Sequence, residues 1–290
     1  MLRKILALAA VLGVAFGGAA LAETRQAPLK HPHWSFSGPF GMYDQAQLQR
    51  GFKVYREVCS QCHSLNLIAF HDLGAPGGPF WNPKYPNPND NPVVKAIAAE
   101  YKVADIDPDT GDPIQRTATT ADHPKPPYPN DIAARASLGA APPDMSLLAR
   151  AREGGPDYIY SLITADIAPN ATTATAYAPT PAGLEVAAGK YYNPWLLGDL
   201  SSTWHGQGEP PPGGIISMPP PLTANKTTFD DGTPSTVDQQ AQDVSAFLMW
   251  ASDPHMEERK QTGLAVLVYL VLFAGLLYAS YRRIWRNVAH

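Results

Sequence analysis

Cys59-Ser60-Gln61-Cys62-His63 constrains this chain more than any other stretch. Two cysteines three apart, with a histidine four residues after the first, share one face of a helical turn. Thiols at that spacing can add across the two vinyl groups of a porphyrin as thioethers, and the histidine directly after the second is then held beneath the iron. Two other chemistries use such a cysteine pair. A zinc site needs four ligands, and no second Cys/His pair with ligand spacing occurs in a chain whose only cysteines are these two. A thioredoxin-like disulfide has no use for the trailing His63. The motif therefore points to one covalently attached haem of the c type, with Cys59, Cys62 and His63 as its binding residues.

The two ends of the chain carry addresses. Arg3 and Lys4, an apolar run from Ile5 to Phe16 and the small-residue ending Ala20-Leu21-Ala22 form the pattern of a cleaved secretory signal peptide. The run is shorter than the ~20 residues that a spanning helix needs, which disfavours an uncleaved anchor. At the other end, residues 261–281 carry no charge, Tyr281 and Trp285 stand where interfacial aromatics belong, and Arg282, Arg283 and Arg286 follow at once. Positive residues stay on the cytoplasmic side, so the domain ahead of this span is exported, in a bacterium to the periplasm. The expected organisation is a signal peptide over 1–22, a periplasmic haem domain over 23–255, an inner-membrane anchor helix over 256–286 and a cytoplasmic tail over 287–290.

The exported part keeps 17 of the 22 Lys and Arg against all 26 Asp and Glu, a net charge of about −9. That balance excludes nucleic acid as a natural partner. It suits either a basic soluble partner or plain solubility. Thirty prolines and 23 glycines predict many loops, and 44% apolar residues still provide a core. Capping and periodicity predict helices from Asp44 to about His63, Val93–Lys102, Asp131–Leu138, Asp144–Arg152, Pro156–Thr164 and Val237–Ser252. The last starts at a Thr236/Gln239 capping box. Asp105 to Asp112 reads as a solvated acidic turn, and residues 168–214 as one long loop wrapped over something.

What lies opposite His63 separates electron transfer from ligand chemistry, because a methionine closes the iron and raises its potential. Met249 and Met256 sit in or beside C-terminal helices, and Met42 is too near the haem helix. Met218, in Ser217-Met218-Pro219-Pro220-Pro221, stands in a loop that prolines stiffen, which lowers the entropy lost in holding a thioether in place. Spacing alone puts Met218 first and leaves Met145, His71, His205 or no sixth ligand as alternatives.

Several segments in order resemble one family: Arg50-Gly51-Phe52-Lys53-Val54-Tyr55-Arg56-Glu57-Val58-Cys59 with Cys62-His63, Pro142-Pro143-Asp144-Met145-Ser146, Gly155-Pro156-Asp157-Tyr158-Ile159-Tyr160-Ser161-Leu162, Ser217-Met218-Pro219-Pro220, and the stretch from Asp231-Gly232-Thr233-Pro234 to Trp250-Ala251 before a single span. They are similar to the cytochrome c1 family of bacterial type, the haem subunits of the cytochrome bc1 complex (ubiquinol:cytochrome c oxidoreductase). The resemblance implies a mostly α, class I cytochrome c-like haem domain with long loops, its Asp44 and Val237 helices packed together, plus one C-terminal transmembrane helix. It implies haem c on Cys59 and Cys62, His63 and Met218 as the iron's axial ligands, and Arg135 facing a haem propionate. It also implies cytochrome b, the Rieske iron–sulfur protein and a soluble or membrane-tethered cytochrome c as partners, with the chain an electron relay that has no substrate-transforming site of its own. Family members often continue with asparagines after that arginine, whereas Ser137-Leu138-Gly139 follow here. The loop-stiffening disulfide of some bacterial relatives has no counterpart, and prolines 210–212 and 219–221 stand in its place. A stand-alone tethered cytochrome and a haem enzyme or sensor with an open distal site are the competing readings.

Overall fold

The computed structural model describes residues 25–287, so the expected signal peptide and the last residues of the tail lie outside the described residues. In chain order the elements are α1 (Gln45–Glu57), α2 (Pro92–Ala99), the hairpin β1 (Lys102–Ile106) and β2 (Pro113–Thr117), α3 (Asp131–Leu138), α4 (Leu148–Ala151), α5 (Pro156–Thr164), β3 (Tyr191–Asn193), β4 (Gly214–Ile216), α6 (Val237–Ser252) and α7 (Met256–Trp285). The expectation of a mostly helical domain with a C-terminal span holds, and two small antiparallel ribbons are added to it.

The domain is organised around the crossing of α1 and α6. The Asp44 carboxylate accepts from Gln47 N at 3.0 Å to start α1, and Thr236 Oγ1 accepts from Gln239 N at 3.1 Å to start α6. Only half of the expected capping box forms, because the Gln239 amide turns to Asp243 at 2.9 Å. The helices touch at Gly51, where a Cβ would lie 2.1 Å from the Asp243 carbonyl oxygen. No larger residue could stand there. Beside that point Arg50 donates to both oxygens of the fully buried Asp243, at 2.8 and 3.1 Å. Burial pushes the Asp243 carboxyl up while the guanidinium works against it. Removing Arg50 would leave an unpaired buried charge, a loss of ~3–5 kcal/mol. Phe52, Tyr55, Phe247 and Trp250 pack ring against ring through this crossing.

Four sequence expectations need correcting, the first being the helix over Val93–Lys102, which is α2 ending at Ala99, with Lys102 already in β1. The helix meant to run to His63 ends its α-form at Glu57 and continues as a tighter 3-10 turn over Cys59–Gln61. Its last carbonyls are taken by side chains: Ser60 Oγ donates to Arg56 O at 2.6 Å and Gln61 Nε2 to Glu57 O at 2.8 Å, which ends the regular ladder. The expected helix 144–152 shrinks to α4, because Asp144 bonds elsewhere. The long loop 168–214 contains β3, which pairs Tyr191 with Ile216 and Asn193 with Gly214. Of the acidic turn, Asp105 lies in β1 and residues 107–112 connect it to β2, where Asp107 spends its carboxylate on the amides of Asp109 and Thr110.

The anchor helix is riveted to the domain at its first turn. Lys260 Nζ donates to Phe36 O and Gly41 O, the Glu257 carboxylate accepts from Tyr43 N at 2.7 Å, and Arg259 pairs with Asp253. From Gln261 onward every described residue of α7 is exposed, as a helix surrounded by lipid must be.

Candidate functional site

The Cys59–His63 turn hangs from the end of α1, itself clamped in the core. Cys59 O accepts from both Cys62 N (3.1 Å) and His63 N (2.9 Å), which closes the turn and puts both thiols and the imidazole at one end of the helix. Neither sulfur is in a disulfide. Surrounding protein pushes the Cys59 thiol up to about 12, with Cys62 adding to the shift. A thiol–disulfide enzyme needs its first cysteine shifted the other way, towards thiolate.

The imidazole of His63 is oriented from 80 residues away. Its Nδ1 lies 2.8 Å from the Pro143 carbonyl oxygen, which can only accept. The proton therefore sits on Nδ1, and Nε2 keeps a free lone pair, the arrangement that a metal-ligating histidine needs. Burial lowers the pKa of His63, against the opposing pull of Pro143 and Asp144, and so favours the neutral ring. Asp144 fixes the chain on either side: its carboxylate accepts from Ser64 Oγ and Asn66 N, both at 2.8 Å, and from Ser146 N at 2.9 Å. Burial alone would raise the Asp144 carboxyl, but those hydrogen bonds outweigh it and hold it below its ordinary value. The sequence reading took Asp144 for a helix cap and missed this role. The signal was present in Pro142-Pro143, which cannot be helical and so leaves a carbonyl free for His63.

The alternatives for the opposite ligand separate by position. Met145 is buried in the core with its N–H on Ser64 O at 2.9 Å, so it lies on the side of His63 and not across from it. His71 is turned to Thr120 O and Asp72, and His205 is exposed beside Glu185. Met218 is half-buried where the main core meets a smaller cluster of Ala165, Tyr177 and Trp195. The chain is pinned on both sides of it. Lys190 Nζ donates to Ser217 Oγ at 2.6 Å, and Tyr177 OH donates to Pro219 O at 3.1 Å. Neither Lys190 nor Tyr177 was a sequence candidate, since each acts across tens of residues and leaves no periodic trace.

Arg135 is exposed on α3, with no carboxylate partner among the described residues. A Cβ on Gly139, just past that helix, would lie 4.0 Å from the Nζ of Lys190, the residue that also holds Ser217. An exposed guanidinium without a carboxylate partner suits an arginine available to an anionic group. The donor set as a whole fits haem c: two free thiols on one turn, a neutral imidazole with its Nε2 unspent, and a thioether on a stiffened loop.

A domain with this thiol–imidazole turn, fixed to one spanning helix, is a membrane-anchored c-type cytochrome. A family model described as the cytochrome C1 family matches residues 34–288. The chain is 42% identical to cytochrome c1 of Rhodospirillum rubrum over 98% of its own length and 97% of that protein. It is 37% identical to cytochrome c1 of Blastochloris viridis over 99% and 97%. It also matches the cytochrome b/c1 of Bradyrhizobium diazoefficiens at 40% identity over 88% of its length, spanning 35% of that longer protein. The chain belongs to the cytochrome c1 family. It is a single-pass membrane protein with one covalently attached haem, the electron-transfer haem subunit of a cytochrome bc1 complex.

Proposed function

We propose that this chain relays single electrons between the Rieske iron–sulfur protein and a soluble or membrane-tethered cytochrome c, within a ubiquinol:cytochrome c oxidoreductase that also contains cytochrome b. The haem domain faces the periplasm, exported by the leader over residues 1–22, and residues 287–290 end in the cytoplasm. The haem supplies a reversible one-electron couple. Cys59 and Cys62 would hold it covalently, His63 Nε2 and the Met218 thioether would be the donors to its iron, and Arg135 would neutralise a propionate.

The work of the protein is to fix potential and distance. The Pro143 carbonyl keeps the His63 ring turned one way. The Lys190–Ser217 and Tyr177–Pro219 bonds hold the Met218 thioether at a constant reach and keep small ligands out. The observation that carries this reading is the pairing of an imidazole whose free nitrogen is set by Pro143 with a methionine loop pinned on both flanks. The net charge of about −9 in the exported part adds long-range attraction for a basic electron acceptor.

Isolation in mild detergent tests the reading. Co-isolation with a cytochrome b and an iron–sulfur subunit, and rapid reduction of the haem when quinol is added to that complex, is the expected result. A chain that is recovered alone and is still reduced and reoxidised in membranes at the native rate would instead be a cytochrome that shuttles by itself.

A further inference from the structure

The stretch 34–43 (Trp-Ser-Phe-Ser-Gly-Pro-Phe-Gly-Met-Tyr) carries no charge, and the haem site makes no use of it. Its base is fixed. Trp34 stacks on Phe36 at 5.5 Å, Phe36 leans on Tyr43 at 5.2 Å, and Trp34 Nε1 donates to the Asp157 carboxylate. Two backbone bonds, Ser37 N to Trp34 O (3.1 Å) and Met42 N to Ser35 O (3.2 Å), fold the segment into a tight loop. Gly38 takes a left-handed φ of +75°, and a Cβ on Gly41 would lie 2.2 Å from Ser37 O, so the loop is built closely enough to need both glycines. This rigid base presents Phe40, 76% exposed, and Met42, 55% exposed, to the outside.

The position of the loop explains the exposure. Lys260 is the last charged residue before the uncharged run of the anchor, and its ammonium bonds to Phe36 O and Gly41 O. Tyr43 N is held by Glu257 one turn earlier. The base of the loop therefore lies against α7 at the start of its uncharged run, with Phe40 and Met42 exposed beside that end of the helix. Aromatic side chains on a charge-free loop at this depth favour the boundary between headgroups and acyl chains.

We propose that the Phe40–Met42 loop is a second membrane contact, a lipid-embedded wedge that fixes the tilt of the haem domain over the bilayer. It rests on the span and not on the axial-ligand assignment. The riveted first turn of α7 gives the domain one footing on the membrane, and the loop beside it adds a second. With the loop seated in lipid, the surface offered to a mobile electron donor stays at one height.

Spin labelling of the haem-loaded full chain in phosphatidylcholine/phosphatidylglycerol nanodiscs tests this. Both native cysteines are consumed by thioethers in that form, so Phe40→Cys or Met42→Cys takes the only nitroxide. Ile106→Cys on the exposed hairpin serves as the aqueous reference and Leu267→Cys as the reference within the span. An unchanged reduced haem spectrum shows that each variant is folded. The expected result is an oxygen-to-nickel-chelate collision ratio at positions 40 and 42 severalfold above that at Ile106 and approaching that at Leu267. A ratio equal to that at Ile106 overturns the proposal. So does shielding from both reagents in the isolated complex, which would make the loop a contact with another subunit.

Discussion

His63 and Met218 are held by different amounts of chain. His63 emerges from α1, whose crossing with α6 forms the main core, and its orienting groups, Pro143 and Asp144, sit directly against that core through Met145 and Ser146. Met218 is held by Tyr177 and Lys190, which belong to the 168–216 excursion. That excursion packs in small clusters, Tyr177 and Trp195 with Ala165 from the end of α5 in one and Ala178, Leu184, Tyr192 and Leu200 in the other. The histidine side rests on the main core, whereas the methionine sits at the seam between that core and a smaller cluster. Local openings cost less than global unfolding, so Met218, the proposed sixth ligand, is the one that can be loosened without unfolding the protein.

The comparison can be broken or sharpened by substitution. The largest effect falls on attachment itself: Cys59→Ser with Cys62→Ser should abolish all haem that survives acid–acetone extraction, as read from the absorbance of the denatured chain. Asp144→Ala comes next. It removes the acceptor for Ser64, Asn66 and Ser146 at once and should cost about 2–4 kcal/mol of global stability in denaturant melts, since hydrogen bonds to a charged group contribute ~1.5–3 kcal/mol each and are not additive. Tyr177→Phe removes one neutral bond to the Pro219 carbonyl, worth about 1 kcal/mol. Its effect should show as faster carbon monoxide binding to the reduced protein, with the melting midpoint shifted by only about 2–4 °C. An Asp144 effect confined to ligand binding, or a Tyr177 effect of several kcal/mol on global stability, would reverse the proposed hierarchy.

The smallest effect is a pH dependence. The folded pKa of Asp144 is depressed below its ordinary 3.8, so its contribution is fully present above that value and is lost as pH falls through the lower folded pKa. Stability should be flat in this term from neutral pH down to about 4 and decline below it. Asp144→Asn should remove that part of the acid transition, and equal acid slopes in parent and variant would contradict it.

The same contrast explains what could be read in advance. α3, α5 and α6 have the bounds that their caps and periodicity predict, because Asn130, Pro156 and Thr236 are local signals acting within one turn. The proposal of Cys59, Cys62 and His63 rests on a signal of the same local kind, since their spacing is itself the chemistry. The β1–β2 hairpin was not, because strands exposed on nearly every residue carry no alternation of apolar and polar side chains. Nor was the pairing of β3 with β4, three residues matched across a long excursion. The partners of His63 and Met218 escaped for a related reason: a carbonyl at Pro143, a hydroxyl at Tyr177 and an ammonium at Lys190 are generic groups that acquire a role only through tertiary contact.

The central claim is that sulfur from Met218 faces nitrogen from His63 across the haem iron. A redox titration of the parent and of Met218→Leu, recorded with the oxidised and reduced absorbance spectra, tests it most directly. The parent should show the methionine-to-iron charge-transfer band when oxidised. The variant should lose that band, bind carbon monoxide readily, and fall in potential by at least about 100 mV, a modest part of the ~0.8 V that axial ligands span. A parent without the band, or a variant that keeps both band and potential, would contradict it.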